Sequence, residues 1–363
     1  MGQGSFIDSH VHLWSLEQIP ALDALRRHIG ARAMNVACIF DRDRVNYNPE
    51  AFVAKAEYPE SFYVFGSLDH SAHFMPGKVS APPLTEQLDR LVAFGMDGVK
   101  MLENKPTHRK LVDVPVDGPY FADYFAHLEE IGFPCVWHVC DPEEFWDPAL
   151  TPAWALKRGW GYDETFKPKE QLYAEVENVL NRHPRLRITF SHFYFLSADL
   201  PRAAAFLDRH PGVNFDLAPG IEFLYNMSRD PEAAREFFIR YADRIIFGTD
   251  ISSYQTQEQA AHRCEIVRRW IETEDEFRVP EGADFLLGPP EDGIMRGLKL
   301  PDDVLEKIYR TNFERFAGGT PRPLNRQLAM EECERISGEV AVLTGQNASD
   351  TPAEGAANRL TRE

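Results

Sequence analysis

Short apolar runs alternate with stretches of helical amphipathic period eight times between residues 5 and 272. The runs fall at about 5–14, 33–40, 62–68, 97–102, 133–139, 186–192, 213–217 and 244–250. The helical stretches between and after them cover about 17–29, 49–58, 85–94, 120–131, 169–181, 201–209, a segment opening at Asp230-Pro231, and 257–272. Apolar runs of this length read as strands buried on both faces, which a parallel sheet covered by helices requires. Strand then helix, eight times, predicts an α/β chain closed as a (β/α)8 TIM barrel. Punctuation agrees: Gly95 and Gly132 stand where helices stop, and Pro49 and Pro231 where they start. An open doubly wound sheet is the competing layout, but its Gly-rich phosphate turn is missing after the first strand, where His10-Val11-His12 stands instead.

The barrel domain is expected over residues 5–320, with a long loop after strand five (141–166) and a Gly/Pro-rich insertion at 276–300. A C-terminal helical extension follows at 321–344. Residues 345–363 turn small and polar and are expected to form a disordered tail. The formal net charge of −18 opposes binding to nucleic acid or anionic membranes. No apolar run reaches spanning length and no signal peptide opens the chain, while the five cysteines are scattered without a pairing framework. These features point to the cytoplasm and to a small-molecule substrate, with a homodimer as the expected assembly.

Barrel enzymes place their chemistry at the C-terminal ends of strands. Those ends carry His10 and His12 on strand one, His138 on strand five, His192 on strand six and Asp250 on strand eight; Lys100 lies inside strand four. His10 and His12 are two residues apart, so in a strand they point to one side and can hold one transition metal ion. A His-x-His pair alone is weak evidence; the further nitrogen and oxygen donors at other strand ends give it weight.

The segments Ile7-Asp8-Ser9-His10-Val11-His12, Trp137-His138, Ser191-His192 and Phe247-Gly248-Thr249-Asp250 resemble the amidohydrolase superfamily, in the branch called amidohydrolase family 2, over roughly residues 5–316. The resemblance implies one divalent metal, zinc or manganese, held by His10, His12, His138 and Asp250, with His192 beside it as polarising group, acid or extra ligand. It implies Asp250 and His192 as catalytic residues. In binuclear relatives a strand-four lysine is carboxylated and bridges two metals; a lysine at this place also occurs in mononuclear members, and a substrate or structural contact, not a bridge, is expected of Lys100. Two reactions share this ligand set: hydrolysis of a lactone, ester or amide carbonyl, which is favoured, and non-oxidative decarboxylation of the aminocarboxymuconate semialdehyde or γ-resorcylate type. A barrel without activity, serving as a binding protein, is the third reading.

The 141–166 loop carries Phe145, Trp146, Trp154, Trp160, Tyr162 and Phe166 and springs from the His138 strand. It is read as an aromatic lid, with an oligomer interface as the alternative. Trp146, Trp160 and Arg158 are its candidates for substrate contact. His183 and His210 precede strands and are read as structural, while His70 and His73 follow strand three on the catalytic side.

Overall fold

The computed structural model describes residues 6–362 apart from Pro289, Glu291 and Asp292. Ser5 at the expected domain start, Glu363 in the expected tail, and those three positions of the 276–300 insertion lie outside the described residues. The main sheet contains β1 (Phe6–His12), β2 (Ala31–Ala37), β3 (Phe62–Ser67), β4 (Gly98–Asn104), β5 (Cys135–Val139), β6 (Ile188–Phe190), β7 (Val213–Asp216), β8 (Ile245–Ile246) and β9 (Ile251–Ser252). All neighbours are parallel, in the order β8-β7-β6-β5-β4-β3-β2-β1-β9.

The expected eighth strand is two short ones in one continuous segment. Its first half pairs with β7 and its second half with β1. Ser9 N donates to Phe247 O at 3.0 Å and Asp250 N to His10 O at 2.8 Å, so this segment closes the ring. The fold is an α/β TIM barrel.

Two layers of apolar side chains result. Val11, Met34, Val64, Met101 and Trp137 face the surrounding helices. Ile7, Ala33, Tyr63, Phe65, Val136 and Ile246 form an inner cluster, plugged by Phe313 and Phe316 of the segment Asp302–Ala317. Ile7 and Val11 are four residues apart, yet they belong to different layers. The register of β1 on β2 shifts between Asp8 and Val11. That irregularity inverts the alternation and allows His10 and His12 to share the inner side with Ile7.

The expectation of a disordered tail is corrected. Pro352–Leu360 is a helix that buries Ala353, Ala356, Ala357 and Leu360. It packs on the helices Asn48–Glu57 and Arg326–Thr344. Alanines at these spacings form a smooth stripe for close helix packing, and Thr351 accepts from Glu354 N as an N-cap. Composition alone hid this, because small residues carry little hydropathy yet allow close approach. A hairpin at Phe40–Asp41 and Val45–Asn46 and a helix at Pro106–Val112 are further elements that the sequence pattern did not announce. Among the described residues no helix is long and apolar enough to cross a membrane. All five cysteines are buried and free.

Candidate metal centre and cavity

His10, His12 and Asp250 each bring a donor atom to a single point, with these atoms all within 4.8 Å of one another. His10 is fully buried. Its Nδ1 lies 2.9 Å from Asp216 Oδ2, and His12 Nδ1 lies 2.9 Å from Ala37 O. Both partners are acceptors, so both Nδ1 atoms carry a proton and both rings turn Nε2 toward the site, the nitrogen that a metal ion would bind. Burial, reinforced by the Lys100 charge, holds His10 well below its ordinary pKa and keeps it neutral.

His12 Nε2 sits 3.2 Å from Asp250 Oδ1, and His10 Nε2 sits 4.0 Å from the same oxygen. Two imidazole Nε2 atoms and a carboxylate oxygen thus converge on one point. This donor set fits a divalent metal ion, which supplies the missing positive centre.

Burial alone would raise the Asp250 carboxyl, but the His12 contact and the Arg263 guanidinium hold it well below the usual carboxylate range. Arg263 is itself buried. Its NH2 reaches Asp250 Oδ2 at 3.2 Å, NH1 reaches Asp284 Oδ1 at 2.8 Å and Nε donates to Thr249 O at 2.9 Å. Asp250 has a left-handed backbone, φ 57°, and His192, Phe193, Tyr194 and Phe195 form a left-handed turn with φ between 50° and 56°. Such residues cost roughly 1–2 kcal/mol each in helical repeats. The turn is held by His192 N donating to Asp216 Oδ1 at 2.7 Å, by Tyr173 OH donating to Tyr194 O at 2.9 Å, and by burial of all four rings.

His192 Nδ1 lies 2.9 Å from Ala218 O, so its other nitrogen is the bare one. Burial pushes the His192 ring down to about 4. His138 lines the same cavity, with its ring 4.7 Å from that of His192. However, the structure does not bring it into the trio: His138 Nε2 lies 3.0 Å from Cys140 O and 3.2 Å from Asp141 Oδ1. Lys100 is buried beneath the site, donating to Ser191 Oγ at 2.9 Å and lying 3.4 Å from His10 Nε2. Burial draws its ammonium down to about 8.

The cavity above these residues measures about 230 Å³. Loop 141–166 supplies Phe145, Trp154 and Trp160 to its wall, joined by Phe195 and Leu286. Trp146 instead packs on Tyr162 and faces a neighbouring groove. Arg158 stacks on Phe285, 3.5 Å from the ring centre, outside the cavity lining. His70 is buried against Glu103 at 2.8 Å, and His183 and His210 pair with Glu129 and Glu177.

Sequence reasoning missed Asp216, Asp8, Lys105 and Glu222. Asp216 stands at the C-terminal end of β7, the position where a carboxylate in a barrel is worth noting. Asp8 accepts from Thr249 N and Oγ1 at 3.0 and 2.5 Å and so ties β1 to the closing segment. Lys105 and Glu222 carried no sequence signal, since Lys105 precedes the helix Pro106–Val112 and Glu222 lies in the first turn of the short helix Ile221–Met227, away from the predicted strand ends.

A family model described as Amidohydrolase matches residues 7–318. No curated protein matches the sequence. Among solved structures, the chain is similar to an uncharacterized TIM-barrel protein from Bordetella bronchiseptica, with 15% identity, TM-score 0.51, and coverage of 86% of this chain and 97% of that one. It is similar to a probable 2-pyrone-4,6-dicarboxylic acid hydrolase from Acinetobacter baumannii crystallised with citric acid, with 12% identity, TM-score 0.52, and coverage of 86% and 99%. A 2,6-dihydroxybenzoate decarboxylase from Rhizobium also matches, with 14% identity, TM-score 0.48, and coverage of 87% and 98%. With the family model spanning the barrel from β1 to the helix that plugs its base, this chain belongs to the amidohydrolase family.

Proposed function

We propose that this chain is a metal-dependent hydrolase acting on a lactone, ester or amide carbonyl of a small molecule. The observation that carries the reading is the convergence of His10 Nε2, His12 Nε2 and Asp250 Oδ1 with both histidine Nδ1 atoms already satisfied. His10, His12 and Asp250 would hold the ion, zinc or else manganese, with His138 as candidate fourth ligand from the cavity wall. When bound, the ion supplies Lewis acidity toward a water molecule and a carbonyl oxygen.

The chain's own groups do the remainder. Asp250 Oδ1 would serve the ion, while Oδ2, oriented by the Arg263 guanidinium at 3.2 Å, keeps a lone pair that accepts the proton of the attacking water. His192, neutral and facing the cavity with an unprotonated nitrogen, orients the water or accepts a hydrogen bond from the substrate. Asp216 and the Ala37 and Ala218 carbonyls fix the three ring orientations. Aromatic residues of loop 141–166 exclude bulk water from the carbonyl. The buried thiols suit a reducing cytoplasm.

The test is metal analysis of the purified chain, followed by a panel of lactones, esters, amides and aromatic acids scored for acid release against CO2 release. Stoichiometric metal with acid release, both lost in His10→Ala, is the expected result. CO2 release without hydrolysis would replace the reading by decarboxylation. Absence of metal and of any turnover would leave a binding barrel.

A further inference from the structure

His138 is gripped at one of its two ring nitrogens. Nε2 lies 3.0 Å from Cys140 O and 3.2 Å from Asp141 Oδ1. Two acceptors at that nitrogen mean that it carries the proton. The Lys105 ammonium, 3.4 Å from the same nitrogen, disfavours a second positive charge on the ring. The neutral ring therefore keeps its lone pair on Nδ1, which has no hydrogen-bond partner among the described residues. Because Nε2 is spent, Nδ1 is the atom this cavity residue has left for an ion. The chain turns sharply to make the grip: Cys140, directly after β5, has a left-handed φ of 63° and swings Asp141 back beside the histidine.

Asp141 is in turn held from two sides. Lys105, after β4, donates to its two oxygens at 2.7 and 2.9 Å, and Tyr162, near the far end of loop 141–166, donates its OH to Oδ2. Trp160 of the same loop faces the Lys105 ammonium, 4.9 Å from its ring centre. Lys105, His138, Asp141 and Tyr162 are all more than nine-tenths buried, where hydrogen bonds to a charged group are strongest. The loop also packs on itself. Phe145, Ala155 and Tyr162 form a small core with Trp146, Trp154, Trp160 and Phe166, and Tyr162 N donates to Phe145 O at 2.7 Å. A loop closed on its own side chains shifts as one piece, and a shift away from the cavity takes Tyr162 off Asp141.

We propose that Asp141 is a positioning residue that couples the lid to the metal centre: the closed loop fixes Asp141 through Tyr162, and Asp141 fixes His138 with Nδ1 free for the ion. The inference rests on the reading of this centre as a metal site and adds a regulation to it. Ion binding and lid closure favour each other, and by linkage each does so by the same factor.

Zinc titration of the full-length protein against a chelator tests it, with amide hydrogen exchange of residues 145–166 as the second readout. Zinc is expected to slow exchange in that segment of the parent protein. Tyr162→Phe keeps the ring and removes the hydroxyl; it should bind zinc about five- to tenfold more weakly and lose the slowing. Asp141→Asn should weaken zinc binding in the same direction. In a His138→Ala background, Tyr162→Phe should add no further loss, because its effect travels through His138. Parent-like zinc affinity in a folded Tyr162→Phe protein, an equal loss in the His138→Ala background, or no effect of zinc on exchange in the parent loop would overturn the proposal. The last of these needs no variant to fold. A parent protein that binds no zinc would sink the metal-dependent reading and this coupling with it. Zinc bound through His10 but held equally well by Tyr162→Phe would sink the coupling alone.

Discussion

Asp216 Oδ2 lies 2.9 Å from His10 Nδ1, while its other oxygen receives the backbone N–H of His192 at 2.7 Å and of Ala218 at 3.1 Å. One carboxylate at the end of β7 thus sets the ring orientation of a metal-ligand candidate on β1 and the strained turn after β6. Ring orientation decides whether the Nε2 lone pair meets the ion. Asp216→Asn is therefore expected to lower zinc affinity about 10–100-fold with the fold retained. Competition titration against a zinc chelator, with circular dichroism as the fold control, measures this. Unchanged affinity would show that packing alone holds His10.

Arg263 is buried among Asp250, Asp284 and the carbonyls of Thr249 and Pro219. Its planar fork serves these partners at once, which a lysine ammonium cannot do. Arg263→Lys is expected to lose about 3 kcal/mol in urea unfolding, at the lower end of what breaking a buried ion-pair network costs. Catalytic rate should fall as well, since Asp250 loses its fixed orientation. A loss under about 1 kcal/mol, the range of exposed pairs, would contradict the network reading.

Glu222 makes stability depend on pH. Burial raises its carboxyl from an ordinary 4.5 to about 8, with Glu144 and Asp141 adding to the rise and Lys169 opposing it. Between those two pH values the folded chain retains a proton that the unfolded chain releases, so this group's contribution to stability falls as pH rises through the window. Glu222→Gln cannot ionise. Its melting temperature relative to the parent should therefore climb between about pH 4.5 and pH 8, as scanning calorimetry would record. A difference that stays constant would mean Glu222 ionises freely in the folded state.

The C-terminal helix is part of the folded unit. Leu360 and three alanines bury against Asn48–Glu57 and Arg326–Thr344, and Arg359 makes a two-pronged ion pair with Glu57 at 2.6 and 2.9 Å. Leu360→Ala should cost about 2 kcal/mol, and truncation after Asp350 should cost more and raise protease sensitivity of the exposed Arg326–Thr344 face. Chemical unfolding and limited proteolysis read both. A truncated chain as stable as the full one would return this segment to the status of a dispensable tail.

Local sequence determined the strands, the helices and their alternation, because periodicity and capping residues act over a few positions. The helix expected at 257–272 matches Gln257–Glu272, with Thr256 and Gln259 forming its capping box. The same local logic brought His10, His12 and Asp250 forward, since a closed parallel barrel carries strand ends to one mouth. The tertiary structure decided what depends on contacts distant in the chain. The irregularity between Asp8 and Val11 assigns His10 and His12 to the inner side, and it is set by pairing with β2, not by the residues themselves. His138, equal to its partners in the sequence, is turned toward Asp141 by Lys105 and Tyr162 from two loops. Asp216 gains meaning only beside a histidine 206 positions away. Side-chain direction and electrostatic pairing depend on distance in space, and the chain acquires those distances only by closing.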